Sequence, residues 1–231
     1  GENPHQKAFF KGDLDNVFQK LNGKNLSYNN LLDIDSAIKL ISEFSSVTFA
    51  IIKHNNACGI ASCSSVVTSY KKALESDPLS AFGGVLITNH KVDVNSASEM
   101  NNLFFEILIA PDYDEESLKT LKFKKNRILL KLKETNFDSR SSKKVLGGYL
   151  NQDLDIAENK IKNWKVVTQK KPSSENYKDL QFANKIVKHS KSNAIVLVKN
   201  SQMISSGVGQ TSRVDALKHA IEKAKTFGFD I

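Results

Sequence analysis

Apolar positions along this chain switch between two periods. Leu31, Leu32, Ile34, Ile38, Ile41 and Phe44 recur at mostly three- and four-residue steps behind the polar mouth Ser27-Tyr28-Asn29-Asn30, which predicts a capped amphipathic helix. Residues 47–52 (VTFAII) form instead an unbroken apolar run, the mark of a buried strand. Residues 57–61 (ACGIA) read as the close-packed start of the next element, and residues 64–76 (SSVVTSYKKALES) as a second helix closed by Asp77-Pro78. A turn and strand follow at 81–88 (AFGGVLIT), a helix at 96–105, and a strand at 106–110 (EILIA) ended by Pro111. Helices alternating with short apolar strands predict a layered α/β sheet.

The pattern changes in the second half. Residues 117–134 (SLKTLKFKKNRILLKLKE) carry the densest basic run, expected as a surface helix turning into an edge strand over 127–132, where cations deter edge-to-edge pairing. Residues 138–144 are polar and read as a loop. Residues 172–175 (PSSE) read as a linker and cap that open a second unit: helix 177–189, strand 194–199, turn Asn200-Ser201, strand 202–206, a glycine turn and helix 213–225. The expected division is 1–170 and 171–231, the latter only the start of its unit.

Composition narrows the class. With 231 residues, 40% hydrophobic and 25% charged, the chain reads as soluble and globular with a substantial core. No run approaches the roughly 20 apolar residues of a membrane span, and no targeting segment opens the chain. Cys58 and Cys63 are too few and too local to staple this fold, so a reduced, cytoplasmic setting fits. The net charge of +8 comes from 30 Lys against Arg127, Arg140 and Arg213. Base and phosphate readers favour arginine, and Phe123 is the sole aromatic within the basic run, so no nucleic-acid partner is expected. Small phosphorylated or polyanionic ligands remain compatible. The start at Gly1 and the stop within Phe227-Gly228-Phe229-Asp230-Ile231 suggest a piece of a longer polypeptide.

The most informative local feature is Lys53-His54, a cation beside a proton-transfer group at the end of the 47–52 run. Imidazole exchanges a proton near neutral pH, and an ammonium holds developing negative charge or a phosphate. Strand alternation sends neighbours to opposite faces, so the pair shares a site only where the strand ends or bends. His54, Cys58 and Cys63 raise a zinc reading, but the deaminase pattern needs a Glu two residues after the His and a Pro-Cys-x-x-Cys, and neither is present. Residues 77–84 (DPLSAFGG) and 207–213 (GVGQTSR) are glycine turns with backbone N–H groups available to a ligand, the second opening a helix like an anion site. A Rossmann reading fails because Ser212 stands at the third glycine of the fingerprint. Glu106 is either a buried acid with a ligand partner or a strand-end surface residue.

GENPHQ, LSYNNLLDIDSA, IIKHNNACGIA, DPLSAFGGVLITN, EILIAPDYDEESL, LGGYLNQ, KSNAIVLVKN and GVGQTSRVDA occur in this order. Together they closely resemble the formyltransferase part of the bifunctional purine-biosynthesis enzymes that formylate aminoimidazole carboxamide ribonucleotide (AICAR) and close the ring to inosine monophosphate. The resemblance covers essentially the whole chain. It implies a cytidine-deaminase-like α/β fold without zinc, one unit complete and a second partly present. It also implies formyl transfer from 10-formyltetrahydrofolate to the 5-amino group of AICAR, and a homodimer with shared sites. By the same resemblance Lys53 and His54 are the catalytic pair, Gly83, Glu106 and Asn193 contact the ribonucleotide, and Leu79, Phe82, Arg213 and Val214 lie near the folate. No metal is implied.

The chain departs from the family pattern in places. Ala57 replaces the usual Pro after the Lys-His pair, which relaxes the turn. The Arg-Tyr before GENPHQ, the later phenylalanine-rich and Arg-His segments and the cyclohydrolase domain are missing, so the isolated chain is expected to be inactive. A non-catalytic nucleotide-binding module and a zinc deaminase on a similar fold are the alternatives.

Overall fold

A computed structural model of the chain describes residues 1–133, 139–157 and 161–231. In chain order the elements are β1 (Phe18–Asn22), α1 (Tyr28–Ile41), β2 (Thr48–Lys53), β3 (Asn56–Ser62), α2 (Val66–Ser76), α3 (Pro78–Ala81), β4 (Val85–Thr88), α4 (Val94–Met100) and β5 (Ile107–Ala110). They continue with α5 (Glu115–Lys122), β6 (Ile128–Leu132), β7 (Arg140–Val145), β8 (Gly148–Asp153), α6 (Ser174–Lys188), β9 (Ile195–Lys199), β10 (Gln202–Gly207) and α7 (Arg213–Thr226). The polar mouth of α1 closes as a capping box: Ser27 Oγ accepts from the Asn30 amide, and Asn30 Oδ1 accepts from the Ser27 amide. Asp77-Pro78 ends α2 and at once starts α3, with Asp77 as cap and Pro78 in the first helical position.

Eight strands form one mixed α/β sheet in the order β1-β6-β5-β4-β2-β3-β10-β9. β4, β5 and β6 run parallel, and every other neighbouring pair is antiparallel. Alternate residues of the central strands feed two cores. Ala50, Ile52, Ile87, Ile109 and Leu130 pack with Ile34, Ile38 and Phe182 of α1 and α6. Phe49, Ile51, Leu86, Leu108 and Leu129 pack with Tyr70, Met100 and Leu121 of α2, α4 and α5 on the opposite face. Burial on both faces explains the unbroken apolar runs. α7 lies against β10 and β9 on the α2 side, where Lys223 reaches Asp77 at 2.5 Å.

Three local expectations are corrected. The strand of the basic run is interior: β6 pairs with β5 on one side and with β1 on the other, and Ile128, Leu129 and Leu130 are fully buried. β1 (FQKLN) has too mixed a pattern to announce itself as the strand that covers that edge. Residues 140–144 are not a loop but belong to the exposed hairpin β7–β8, turned by Leu146 and Gly147 at φ +49° and +79°; Asp138 lies outside the described residues. The helix expected over 96–105 ends at Met100.

The pairing registers bring one sheet end into focus. Lys53 pairs with Asn56 across the β2–β3 turn, Val85 with Ile52, Ile107 with Val85 and Ile128 with Ile107. The carboxyl end of β2 therefore meets the amino ends of β4, β5 and β6. Among the described residues, no helix is long and apolar enough to cross a membrane.

Candidate active site

His54 and Asn55 are the two central residues of the β2–β3 turn, with φ of +50° and +64°. Both lie in the left-handed region that a two-residue hairpin of this hand requires, so strand alternation stops at Lys53. Partly buried Lys53 donates from Nζ to the Phe82 carbonyl at 2.7 Å. Gly83 follows with φ +68°, and a Cβ there would stand 3.3 Å from Lys53 Nζ. His54 is exposed, and its carbonyl accepts from Asn56 Nδ2 at 2.9 Å.

α1 supplies the floor of the site. Asp33 Oδ1 accepts from the Asn55 amide at 2.7 Å. Burial raises the Asp33 carboxyl above its ordinary range, against the lowering influence of that bond and of the His54 and Lys53 charges, while Glu106 pushes in the same direction as burial. Glu106, just before β5, accepts from Asn30 Nδ2 at 3.2 Å and pairs with Lys24 at 3.4 Å. It is thus a partly buried acid with two partners, both from the chain segment leading into and starting α1.

The opposite wall comes from the chain around β9, β10 and α7. Asn56 Oδ1 accepts from the Lys191 amide at 3.0 Å, tying the Lys53-His54 hairpin to the loop that holds Asn193. Asn193 Nδ2 donates to the carbonyls of Gln210 and Thr211 at 3.1 and 3.2 Å, so it braces the glycine turn before α7. Arg213 and Val214 open α7 and are exposed. Leu79, 77% exposed, lines a cleft shared with Ser206, Gly207, Val208 and His219. Phe82, 61% exposed, packs against Phe104 with ring centroids 5.0 Å apart and planes tilted by 43°. The structure therefore brings Lys53, Phe82 and Gly83 into direct contact and places His54 on the same turn. Glu106 joins them through α1, and Asn193 with the start of α7 forms a separate wall.

One sequence reading changes here. The glycine turns do not hold out a row of free N–H groups. Ser80 N bonds Asp77 Oδ1, Gly83 N bonds the Phe104 carbonyl, Gly84 N that of Ala81, Gly209 N that of Lys191 and Gln210 N that of Asn193. Ser212 Oγ takes the Val214 and Asp215 amides. Gly84 and Gly207 serve close backbone packing, and these turn donors are already bonded within the chain. Cys58 is buried in the sheet, its thiol pushed by burial up to about 12. Among the described residues no three His, Cys, Asp or Glu side chains gather as a metal site.

The AICARFT/IMPCHase bienzyme family matches residues 1–223. The chain belongs to this family. It is 56% identical over 231 residues to the bifunctional purine biosynthesis protein PurH of Bacteroides thetaiotaomicron, covering 100% of the chain and 46% of that relative. PurH of Aquifex aeolicus is 49% identical over 239 residues, with 100% and 46% covered, and PurH of Prochlorococcus marinus 44% over 246 residues, with 99% and 47%. The chain spans about half the length of the curated relatives it matches.

The structure adds Asp33, Asn30 and Lys24 to the residues read from the sequence. Asn30 carried a signal, since it is the third helical residue of a capping box, but its second bond, to Glu106, is long-range. Asp33 lay inside a helix pattern as one polar residue among several. Ala57, where the family pattern has Pro, lies in β3 opposite Ile52, where the β2–β3 register shifts.

Proposed function

We propose that this chain carries the central part of a formyltransferase site, transferring the formyl group of 10-formyltetrahydrofolate to the 5-amino group of AICAR. The observation that supports it most is the Lys53-His54 turn: a left-handed bend at His54 directly follows Lys53, whose ammonium is held against the Phe82-Gly83 backbone. The amine is a weak nucleophile because its lone pair is delocalised into the imidazole ring of AICAR. Positioning and proton removal are therefore the principal tasks.

In this mechanism the amine nitrogen attacks the formyl carbon, and His54 takes the proton that the nitrogen loses. The Lys53 ammonium stabilises the oxyanion of the tetrahedral intermediate. Collapse breaks the bond from the formyl carbon to N10, and a proton returns to N10 as tetrahydrofolate leaves. Gly83 lets the substrate approach the backbone beside Lys53, Glu106 bonds the ribose, and Asn193 completes the ribonucleotide wall. Leu79, Phe82, Arg213 and Val214 serve the folate. Leu79, Phe82 and Val214 are 77%, 61% and 59% exposed, apolar surface open to a flat pterin ring and to cover from further protein. On this reading the 231 residues alone are inactive or nearly so, and the full-length protein works as a homodimer with shared sites. We also propose the division into units 1–170 and 171–231, each contributing a helix–hairpin–helix to the one sheet.

The test is His54→Ala in the full-length protein. Formyl transfer should be lost while cyclohydrolase activity persists; undiminished transfer refutes the assignment.

A further inference from the structure

The hairpin that bears Lys53 and His54 has a structural counterpart in the same chain. α1 leads into β2, a two-residue turn, β3 and α2; α6 leads into β9, a two-residue turn, β10 and α7. Both leading helices start with a Ser/Asn capping box, Ser27 with Asn30 and Ser173 with Asn176. Both turns are left-handed at two successive non-glycine residues: His54 and Asn55 at +50° and +64°, Asn200 and Ser201 at +54° and +55°. In each case the strand before the turn ends in lysine, Lys53 or Lys199.

Both turns are held in the same way. Asp33 is the sixth residue of α1 and takes the Asn55 amide at 2.7 Å. Asp179 is the sixth residue of α6 and takes the Asn200 and Ser201 amides at 2.9 and 2.8 Å. The second turn has asparagine where the first has histidine, so its clamp has no proton-transfer group to aim.

We infer that Asp33 is a positioning residue for formyl transfer: by clamping the Asn55 amide it holds the left-handed turn that sets His54 beside Lys53. Left-handed conformations at two successive non-glycine residues persist only where their surroundings determine them, and here the hairpin register is joined by the bond from Asp33 of α1 to the Asn55 amide. The clamp also brings a carboxylate near the charges of Lys53, His54 and Glu106. The inference rests on the proposed role of His54. Asp179 is its internal control, the same clamp without the histidine.

The experiment compares Asp33→Ala, Asp33→Asn and Asp179→Ala with wild type in the full-length protein, measuring kcat, KM for AICAR and melting temperature. Misplacement by about 1 Å costs on the order of 100-fold, so Asp33→Ala should lower kcat about 10- to 100-fold with little change in KM. Asp33→Asn should restore most of kcat, because an amide oxygen accepts the same bond. Asp179→Ala should lower the melting temperature and leave kcat near wild type. The inference is overturned if Asp33→Ala keeps wild-type kcat, if both alanine variants lose kcat alike, or if Asp33→Asn is as impaired as Asp33→Ala. Should Asp33→Ala fail to fold, Asp33→Glu moves the accepting oxygen by one methylene: reduced kcat supports the clamp and wild-type kcat overturns it. His54→Ala in the same assay separates the two claims, since transfer that survives it defeats the reading of the site rather than the role of Asp33.

Discussion

Replacing Gly83 with Ala tests how tightly the site is built around Lys53. Gly83 has φ +68°, a region that costs an L-residue roughly 1–2 kcal/mol. At about 2–4 °C per kcal/mol for a unit of this size, that lowers the melting temperature by roughly 2–8 °C. The new Cβ would also stand 3.3 Å from Lys53 Nζ and 3.6 Å from the Phe104 ring. The lysine is the flexible partner, so its amine gives by a few tenths of an ångström, and its 2.7 Å bond to the Phe82 carbonyl is disturbed. If about 1 Å of misplacement is worth on the order of 100-fold, this shift lowers kcat/KM for formyl transfer several-fold. Gly209→Ala is the comparison, because φ is again +68° but the nearest atom to its Cβ is Lys191 Cδ at 3.9 Å. Melting curves of both variants and a steady-state transfer assay of Gly83→Ala, all in the full-length protein, decide the matter. A Gly83→Ala variant that melts lower yet transfers formyl at the wild-type rate refutes the claim that Lys53 works from its position against Gly83.

Two further outcomes follow from the fold. Gly59→Ala should cost about 3 kcal/mol or more, because its Cβ would fall 1.9 Å from the Ala73 carbonyl of α2; an unchanged denaturation midpoint would show that β3 and α2 are not so close. Glu43 meets Lys188 at 2.8 Å and His189 at 2.9 Å, and although burial pushes its carboxyl up, those two partners outweigh it and hold the group below its ordinary range. A depressed carboxyl stabilises the fold above its unfolded value near 4.3 and loses that contribution as pH falls through the folded one. The stability gap between wild type and Glu43→Gln should therefore narrow as pH drops from about 6 to about 3, and a gap that stays constant over that range contradicts the assignment.

Much of this architecture was legible in the residues. The caps at Ser27 and Ser173, the Asp77-Pro78 stop and the Asn200-Ser201 turn are local devices, and the structure forms each where the pattern placed it. Local reasoning failed where a partner distant in sequence decides. Ile128, Leu129 and Leu130 look like an edge strand among lysines until β1, more than a hundred residues earlier, pairs with them. Residues 140–144 lack apolar alternation, yet backbone pairing with β8 makes them a strand.

The site divides along the same line. The residues alone identified Lys53-His54 as a cation and a proton acceptor at a strand end, because those properties belong to the side chains and to the local apolar run. Only tertiary structure determined that the turn is left-handed and clamped by Asp33, that Lys53 rests on the Phe82 carbonyl, and that Glu106 is held by Asn30 and Lys24. Each of those bonds joins groups at least 22 residues apart in the chain, and no pattern of neighbours records a meeting that comes about only when the sheet is assembled.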